Sequence, residues 1–393
     1  MASGFPRSWV WLISDKKRML TSLQKKRRLE RKRIRRLVKL IRLDICVQMT
    51  FCDEAAPVWL KLRIPADLMA HIQFSQKNTN LRYICHHHGA SKNPSHYPAF
   101  TMKPKENVPF PSDFVVGMSS AVIGSKVYCF GGDWKIACMQ GIIKESDTVV
   151  DEMSIFRRPR YLDFASKIKT TKWEIGQPLC SPRYSPQILV VEDKLYVFGG
   201  NVPSDCFAEV LDPLKGYWEA LPDFPFGPIP SDRLIVAFGP SPQILLFNKK
   251  DEKAYMYHPS TRSWDSYNME FEDQLSRMHG QPITVEDTLF WLDKDGDIYA
   301  FDWNARKLFY GPVAGLWHEL KCRDGWRMSV LSLFHLVNEL FCLVWDDQSR
   351  DDVHLTIIRV QKEPVETRLF VVVVACMRYK LSNMSNLEGA HLL

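Results

Sequence analysis

Long apolar runs are scarce in this sequence. Trp9–Ile13 is the only such run near its start, and Leu369–Met377 is the other of note. A bilayer-spanning helix needs about 20 apolar residues and a secretory signal core about 7–15, so Trp9–Ile13 is too short for either and Leu369–Met377 is too short to span. The chain is therefore expected to be soluble, without a membrane span. Cysteine is present at ten positions, 46, 52, 85, 129, 138, 180, 206, 322, 342 and 376, but never in C-x-x-C spacing. That absence argues against a zinc ribbon or a thioredoxin-like motif and favours reduced thiols in an intracellular protein. Glycine is never arranged as a phosphate-binding loop or a dinucleotide fingerprint, which removes the common nucleotide-dependent classes. Acidic residues are nearly missing from the first forty-odd positions. Residues 1–42 hold 15 Lys/Arg against only Asp15 and Glu30, whereas the remainder holds 37 basic and 43 acidic residues. A mildly acidic body thus carries a basic arm.

The arm reads KKRRLERKRIRRLVKLIRL over 25–43, with eleven basic residues. Ile34, Leu37, Val38 and Ile41 fall at helical spacing, which predicts an amphipathic basic helix. Lys25, Lys26, Arg27, Arg28, Arg31, Lys32 and Arg33 are read as a nuclear import signal, because such clusters attract import receptors and nucleic acids. A solvated extension, a mitochondrial or plastid transit segment, and a membrane-surface or nucleic-acid arm remain alternatives. No RNA-binding or zinc-finger signature accompanies the arm, so specific nucleic-acid binding is not expected. Location in the nucleus or cytoplasm follows from this reading, with mitochondrion or plastid as the alternative.

Beyond the arm the chain repeats. GSKVYCFGGDW (124–134) aligns with EDKLYVFGGNV (192–202), and SPQILLFNKKD (241–251), EDTLFWLDKDG (286–296) and VNELFCLVWDD (337–347) keep the strand without the glycines. A second landmark places a polar residue six positions before an aromatic or Leu: Asp212 and Trp218, His258 and Trp264, Asp302 and Leu308. Trp173, Trp218, Trp264 and Leu308 follow one another at intervals of 45, 46 and 44. A period in the mid-forties with short strands and turns predicts repeated four-stranded β units. Paired glycines suit a strand that leaves a crowded channel in conformations closed to residues with a Cβ. The tryptophan fills the wider space between neighbouring sheets.

The double glycine and the closing Trp resemble the kelch repeat. PRYSPQILVVEDKLYVFGG and AEVLDPLKGYWEALPDFP are similar to the kelch proteins of flowering plants, many of which carry an N-terminal F-box. The resemblance implies an all-β, kelch-type β-propeller with blades near 56–103, 113–177, 181–223, 227–270, 280–318 and 325–378. Six blades are expected, because a propeller must close its ring to protect its edges. Residues 1–50 are read as a basic, partly helical or disordered extension, 56–380 as the propeller, and 381–393 as a disordered tail. FVVVVACM (370–377) is expected as a fully buried strand near the closure.

Local motifs offer little chemistry. DKDGD (293–297) resembles the start of a calcium loop, but its counterpart NKKDEK (248–253) is basic, so a hairpin turn is expected. CHHHG (85–89) alternates its imidazoles along the chain and is read as a surface cluster. GMSSA (117–121) lies on a predicted first strand, not at a strand-to-helix elbow. No catalytic, metal or cofactor residue is assigned. The resemblance places a partner surface on the loops joining strands 2 and 3 and on those between blades. Here that surface would hold Asp133, Trp134 and Asn201, with Arg183, Arg233 and Arg327 at blade starts as a ring for an acidic segment. The expected function is a non-catalytic interaction module with a protein partner. The first alternative is a substrate receptor working with ubiquitin-ligase components, for which IPADLMAHI (64–72) would open the F-box. The second is a copper oxidase-like propeller.

Overall fold

Alternation along the second strand of each unit decides where the core lies. In LYVF (195–198), Leu195 and Val197 pack toward the preceding unit, against Tyr128 and Phe130. Tyr196 and Phe198 pack toward the following one, against Ile235, Ile244 and Leu246. A strand covered on both faces must be apolar at every position, as a period-two chain between two neighbours requires. Thus Lys194–Phe198 is buried after its first residue, and Thr288–Asp293 is buried throughout.

The computed structural model describes residues 43–51, 58–64, 99–102, 106–109, 118–132, 157–163, 173–200, 206–227, 233–238, 242–248, 253–267, 277–293, 296–313, 332–347, 352–380 and 384–392. The chain divides into two units, residues 1–44 with 63–91 and residues 45–62 with 92–393. Of the first unit only 43–44 and 63–64 are described, at strand ends.

The strands run in chain order. The first four are β1 (Leu43–Phe51), β2 (Val58–Ile64), β3 (Ala99–Met102) and β4 (Glu106–Pro109). A first clear blade follows: β5 (Met118–Ile123), β6 (Lys126–Gly131), β7 (Arg160–Asp163) and β8 (Glu174–Ile175). The second comprises β9 (Gln187–Val191), β10 (Lys194–Phe198), β11 (Ala208–Asp212) and β12 (Tyr217–Ala220). The third comprises β13 (Arg233–Phe238), β14 (Gln243–Asn248), β15 (Lys253–His258) and β16 (Ser263–Tyr267). The fourth holds β17 (Met278–Val285), β18 (Thr288–Asp293), β19 (Ile298–Asp302) and β20 (Lys307–Gly311). The fifth holds β21 (Ser332–Val337), β22 (Leu340–Asp347), β23 (Asp352–Glu363) and β24 (Arg368–Lys380), and β25 (Met384–Leu392) ends the series. Within each clear blade, sequential strands pair antiparallel.

The sixth sheet has the order β25-β1-β2-β4. Its innermost strand comes from the far end of the sequence, in antiparallel register from Ile45↔Leu392 to Phe51↔Met384. First strands meet in succession, β5 with β9, β9 with β13, β13 with β17 and β17 with β21. β25 then meets both β21 and β5, so the circle of inner strands is complete. This is the all-β architecture of a six-bladed propeller of the kelch type.

Four expectations from the sequence do not hold. Residues 381–393 are not a disordered tail, because the sixth blade takes its inner strand from them. The extension does not run to 50, because residues 43–51 form β1, paired with that strand, and Ile45 is buried. Residues 99–102, expected in the sixth blade, instead pair in parallel with β24. FVVVVACM is the outermost strand of the fifth blade rather than a fully buried one, and Phe370 is 46% exposed. Its outer edge meets β20 at Tyr310↔Arg368 and β3 along Ala99–Met102. Two parallel partners thus cover an edge that would otherwise invite pairing with another chain.

In the second and third blades the fourth strand buries only its tryptophan. Trp218 and Trp264 are buried while Tyr217 and Asp265 beside them are exposed. Trp218 Nε1 donates to the Gln177 carbonyl at 3.0 Å, and Trp264 Nε1 to the Pro222 carbonyl at 3.1 Å. Each indole therefore ties its blade to the end of the preceding one. The Phe that precedes the glycine pair meets the Trp of the next blade edge-on, Phe130 with Trp218 at 5.6 Å and Phe198 with Trp264 at 6.3 Å. Such pairs contribute about 0.5–1.5 kcal/mol beyond the area they bury.

Candidate functional site

Gly131 and Gly200 show what the paired glycines do. Gly131 has φ +72, and a Cβ there would lie 2.6 Å from Pro186 Cδ and 2.7 Å from the Arg183 carbonyl oxygen. Gly200 has φ +107, and its Cβ would crowd Arg183 and the Tyr184 amide. The approach to β9 therefore lies wedged between the glycine pair of its own blade and that of the preceding blade. Ser185 N donates to the Gly132 carbonyl at 3.2 Å and seals the contact.

Arg183 sits in that wedge. It is buried, and its Nε lies 2.7 Å from Glu209 Oε1 on β11. Nη1 donates to the Gly199 and Phe207 carbonyls at 2.6 and 3.0 Å, and Nη2 to the Cys206 carbonyl at 3.2 Å. The other Glu209 oxygen accepts from the Cys180 amide at 2.6 Å. Arg183 is thus an internal strut that closes the strand 2–3 connection of its blade, and its charge is not offered to a partner. The expected ring of three arginines loses this member. Arg233 opens β13 opposite Asn248 in the register. Asp133, Trp134, Asn201, Arg327 and the basic residues 25–33 lie outside the described residues, as do CHHHG and all of IPADLMAHI except Ile64.

Two thiols flank the strut. Burial pushes the Cys180 thiol up to about 11, with the Glu209 carboxylate adding to the effect, and burial likewise raises Cys206. Thiols held protonated in this way are poor nucleophiles. The other motifs resolve into structure. Ser119 lies on β5 and its hydroxyl donates to the Pro186 carbonyl. Asp293 caps a turn, accepting from the Gly296 amide at 3.0 Å and through Oδ1 from the Asp297 amide at 3.0 Å, so the hairpin reading of 293–297 stands. Among the described residues, no group of three His, Cys, Asp or Glu is placed to hold a metal, and no helix is long and apolar enough to cross a membrane.

The face opposite the glycine pairs carries the strand 3–4 turns, and these also repeat. The last turn residue is left-handed in the second to fifth blades: Gly216, Arg262, Arg306 and Thr367. At the boundary of the second and third blades Arg262 reaches back. Its Nη1 lies 3.1 Å from Glu219 Oε2 and its Nη2 donates to the Ala220 carbonyl at 2.8 Å, while Lys215 Nζ takes the other Glu219 oxygen at 2.8 Å. Lys215 first and Arg262 next hold the Glu219 carboxyl down to about 2. Only about 110 Å³ of space is left there.

One blade further, the same positions are built differently. Asp265 replaces Glu219 and pairs with His258 at 2.9 Å, and Tyr267 replaces Leu221. Arg306 takes the Tyr267 hydroxyl oxygen at 3.0 Å, and Trp303 meets the Tyr267 ring at 5.5 Å. A hollow of about 520 Å³ opens between the blades, lined by these five residues together with Gln243, Met256 and Ser266. Motif reading passed over this groove. The signal for it was a departure from the repeat, His258 standing where Asp212 and Asp302 stand in the neighbouring blades.

The kelch motif matches residues 182–225, the blade whose glycines and tryptophan were just described. No curated protein matches the chain. Among solved structures, YjhT is 12% identical and aligns over 71% of this chain and 97% of its own, with a TM-score of 0.39.

Proposed function

We propose that this kelch-repeat propeller is a non-catalytic interaction module that takes a protein partner on the glycine-pair face, chiefly through the stretch joining β6 to β7. The supporting observation is how that stretch is rooted. Residues 132–159 separate β6 from β7, whereas 199–207, 249–252 and 294–297 suffice in the next three blades. It leaves from Gly131, the end of β6, which packs closely against Pro186, and its first residue, Gly132, accepts from the Ser185 amide of the following blade. An extended connection on a rigid base is where binding residues concentrate. Asp133 and Trp134 begin it, and Asn201 holds the matching position one blade on. The basic run 25–36 serves as an import signal in this reading, and a fluorescent fusion of residues 1–50 tests that part separately.

A photo-crosslinking residue placed at Trp134 or Asn201 of the full chain should trap one partner in cells, and the same residue at Thr261 on the opposite face should not. Replacing 136–155 with a short Gly/Ser linker should abolish the trapped species at an unchanged melting temperature. Equal trapping from Thr261, or trapping that survives the replacement, would overturn the assignment.

A further inference from the structure

We infer that the groove between the third and fourth blades is a binding site for a small neutral saccharide, independent of the partner face. Its size comes first. About 520 Å³ lies within the range of small-ligand sites, and the equivalent place one blade earlier, at about 110 Å³, does not. The difference has a cause in the sequence. Glu219 joins Arg262 and Lys215 in a closed set of ion pairs across the earlier boundary. Asp265 is one methylene shorter and turns to His258, while Arg306 turns to Tyr267. The side chains that fill one boundary therefore line the walls of the next.

The lining indicates the ligand class. Met256 is buried and apolar, and Trp303 and Tyr267 meet at 69°, so the groove holds aromatic and aliphatic surface suited to the C–H face of a sugar ring. Around this surface stand an amide (Gln243), a hydroxyl (Ser266), an imidazole (His258), a carboxylate (Asp265) and a guanidinium (Arg306). The set supplies both donors and acceptors, and hydroxyl groups can serve both. The formal charges of Asp265 and Arg306 cancel. The Asp265 side chain, 70% exposed, would repel a phosphate, and Arg306 would repel a cationic side chain. A neutral polyhydroxylated ring meets all of these groups without leaving a charge opposed.

Saturation-transfer NMR and titration calorimetry on the full chain test this with mono- and disaccharides, inorganic phosphate and free arginine as separate probes. One saccharide should bind saturably, with a dissociation constant on the order of 1 mM or tighter. Asp265→Ala and Gln243→Ala should each weaken it about tenfold, the loss expected for one hydrogen bond to a charged or amide group. Asp265→Asn keeps the shape and should weaken it as well, which guards against a folding defect in the alanine variant. Glu219→Ala, at the closed boundary, should bind as the wild type does. The inference fails if no saccharide saturates, if phosphate or arginine binds as well as the best sugar, or if the Asp265 variants bind unchanged.

Discussion

Arg183 Nε lies 2.7 Å from Glu209 Oε1, and both side chains are almost wholly shielded from water. Removing one partner leaves the other charged and buried, which costs about 3–5 kcal/mol. Arg183→Ala and Glu209→Ala should each lower stability by that amount in urea titrations. Arg183→Met with Glu209→Leu should cost much less than the two single changes added together, because no charge is left stranded. Partner binding by the folded fraction should survive.

The indole hydrogen bonds make a graded test. Trp264→Phe keeps a ring near Phe198 but strips the Pro222 carbonyl of its donor, and should cost about 1 kcal/mol plus the lost packing. Trp264→Ala should cost about 3–5 kcal/mol. Trp218 should follow the same order. Denaturant midpoints of the four variants decide this.

Two left-handed glycines should respond differently to alanine. Gly216 has φ +75 with open space where a Cβ would go, so Gly216→Ala should cost about 1 kcal/mol of backbone strain. At Gly131 the added carbon meets Pro186 and the Arg183 carbonyl, so Gly131→Ala should be clearly worse. Equal melting temperatures for the two would show that the wedge at Arg183 yields easily.

Much of this fold was legible because its strongest constraints are periodic. Trp218 and Trp264 had to recur, since each fills the same gap between blades, and LYVF had to be apolar throughout. Of the sixth blade, expected near 56–103, β2 was legible, but its inner strand MSNLEGAHL was not, because that segment carries little alternation and is specified by a gap in the ring. Arg183 was misread because an arginine at a strand start resembles a surface residue. Glu209, a carboxylate among Ala208, Val210 and Leu211 on a buried strand, was the signal that such a charge needs a buried partner. The groove at His258 and Asp265 emerged only when one boundary was compared with another.

The Glu219 carboxyl supplies a pH test. Its folded-state value, about 2, lies below the ordinary 4.5, so the charged form is favoured in the folded chain. The resulting stabilisation is complete above about pH 4.5 and is lost as pH falls toward 2. Glu219→Gln should lower stability near neutrality, flatten the acid limb of the stability curve over that window, and converge with the wild type near pH 2. An acid limb identical in both proteins would show that Lys215 and Arg262 do not act on it.

β25 pairs with β1 across almost the whole sequence, Thr50 opposite Asn386. During synthesis on the ribosome, the five blades between them can fold in turn, each from neighbouring residues, while the seam stays unsewn. Closing so distant a contact carries the largest loop-entropy cost in the molecule, although that cost grows only slowly with length. Until β25 is made, the inner flanks of the first and fifth blades stay uncovered, and its pairing with β1 determines when that vulnerability to aggregation ends.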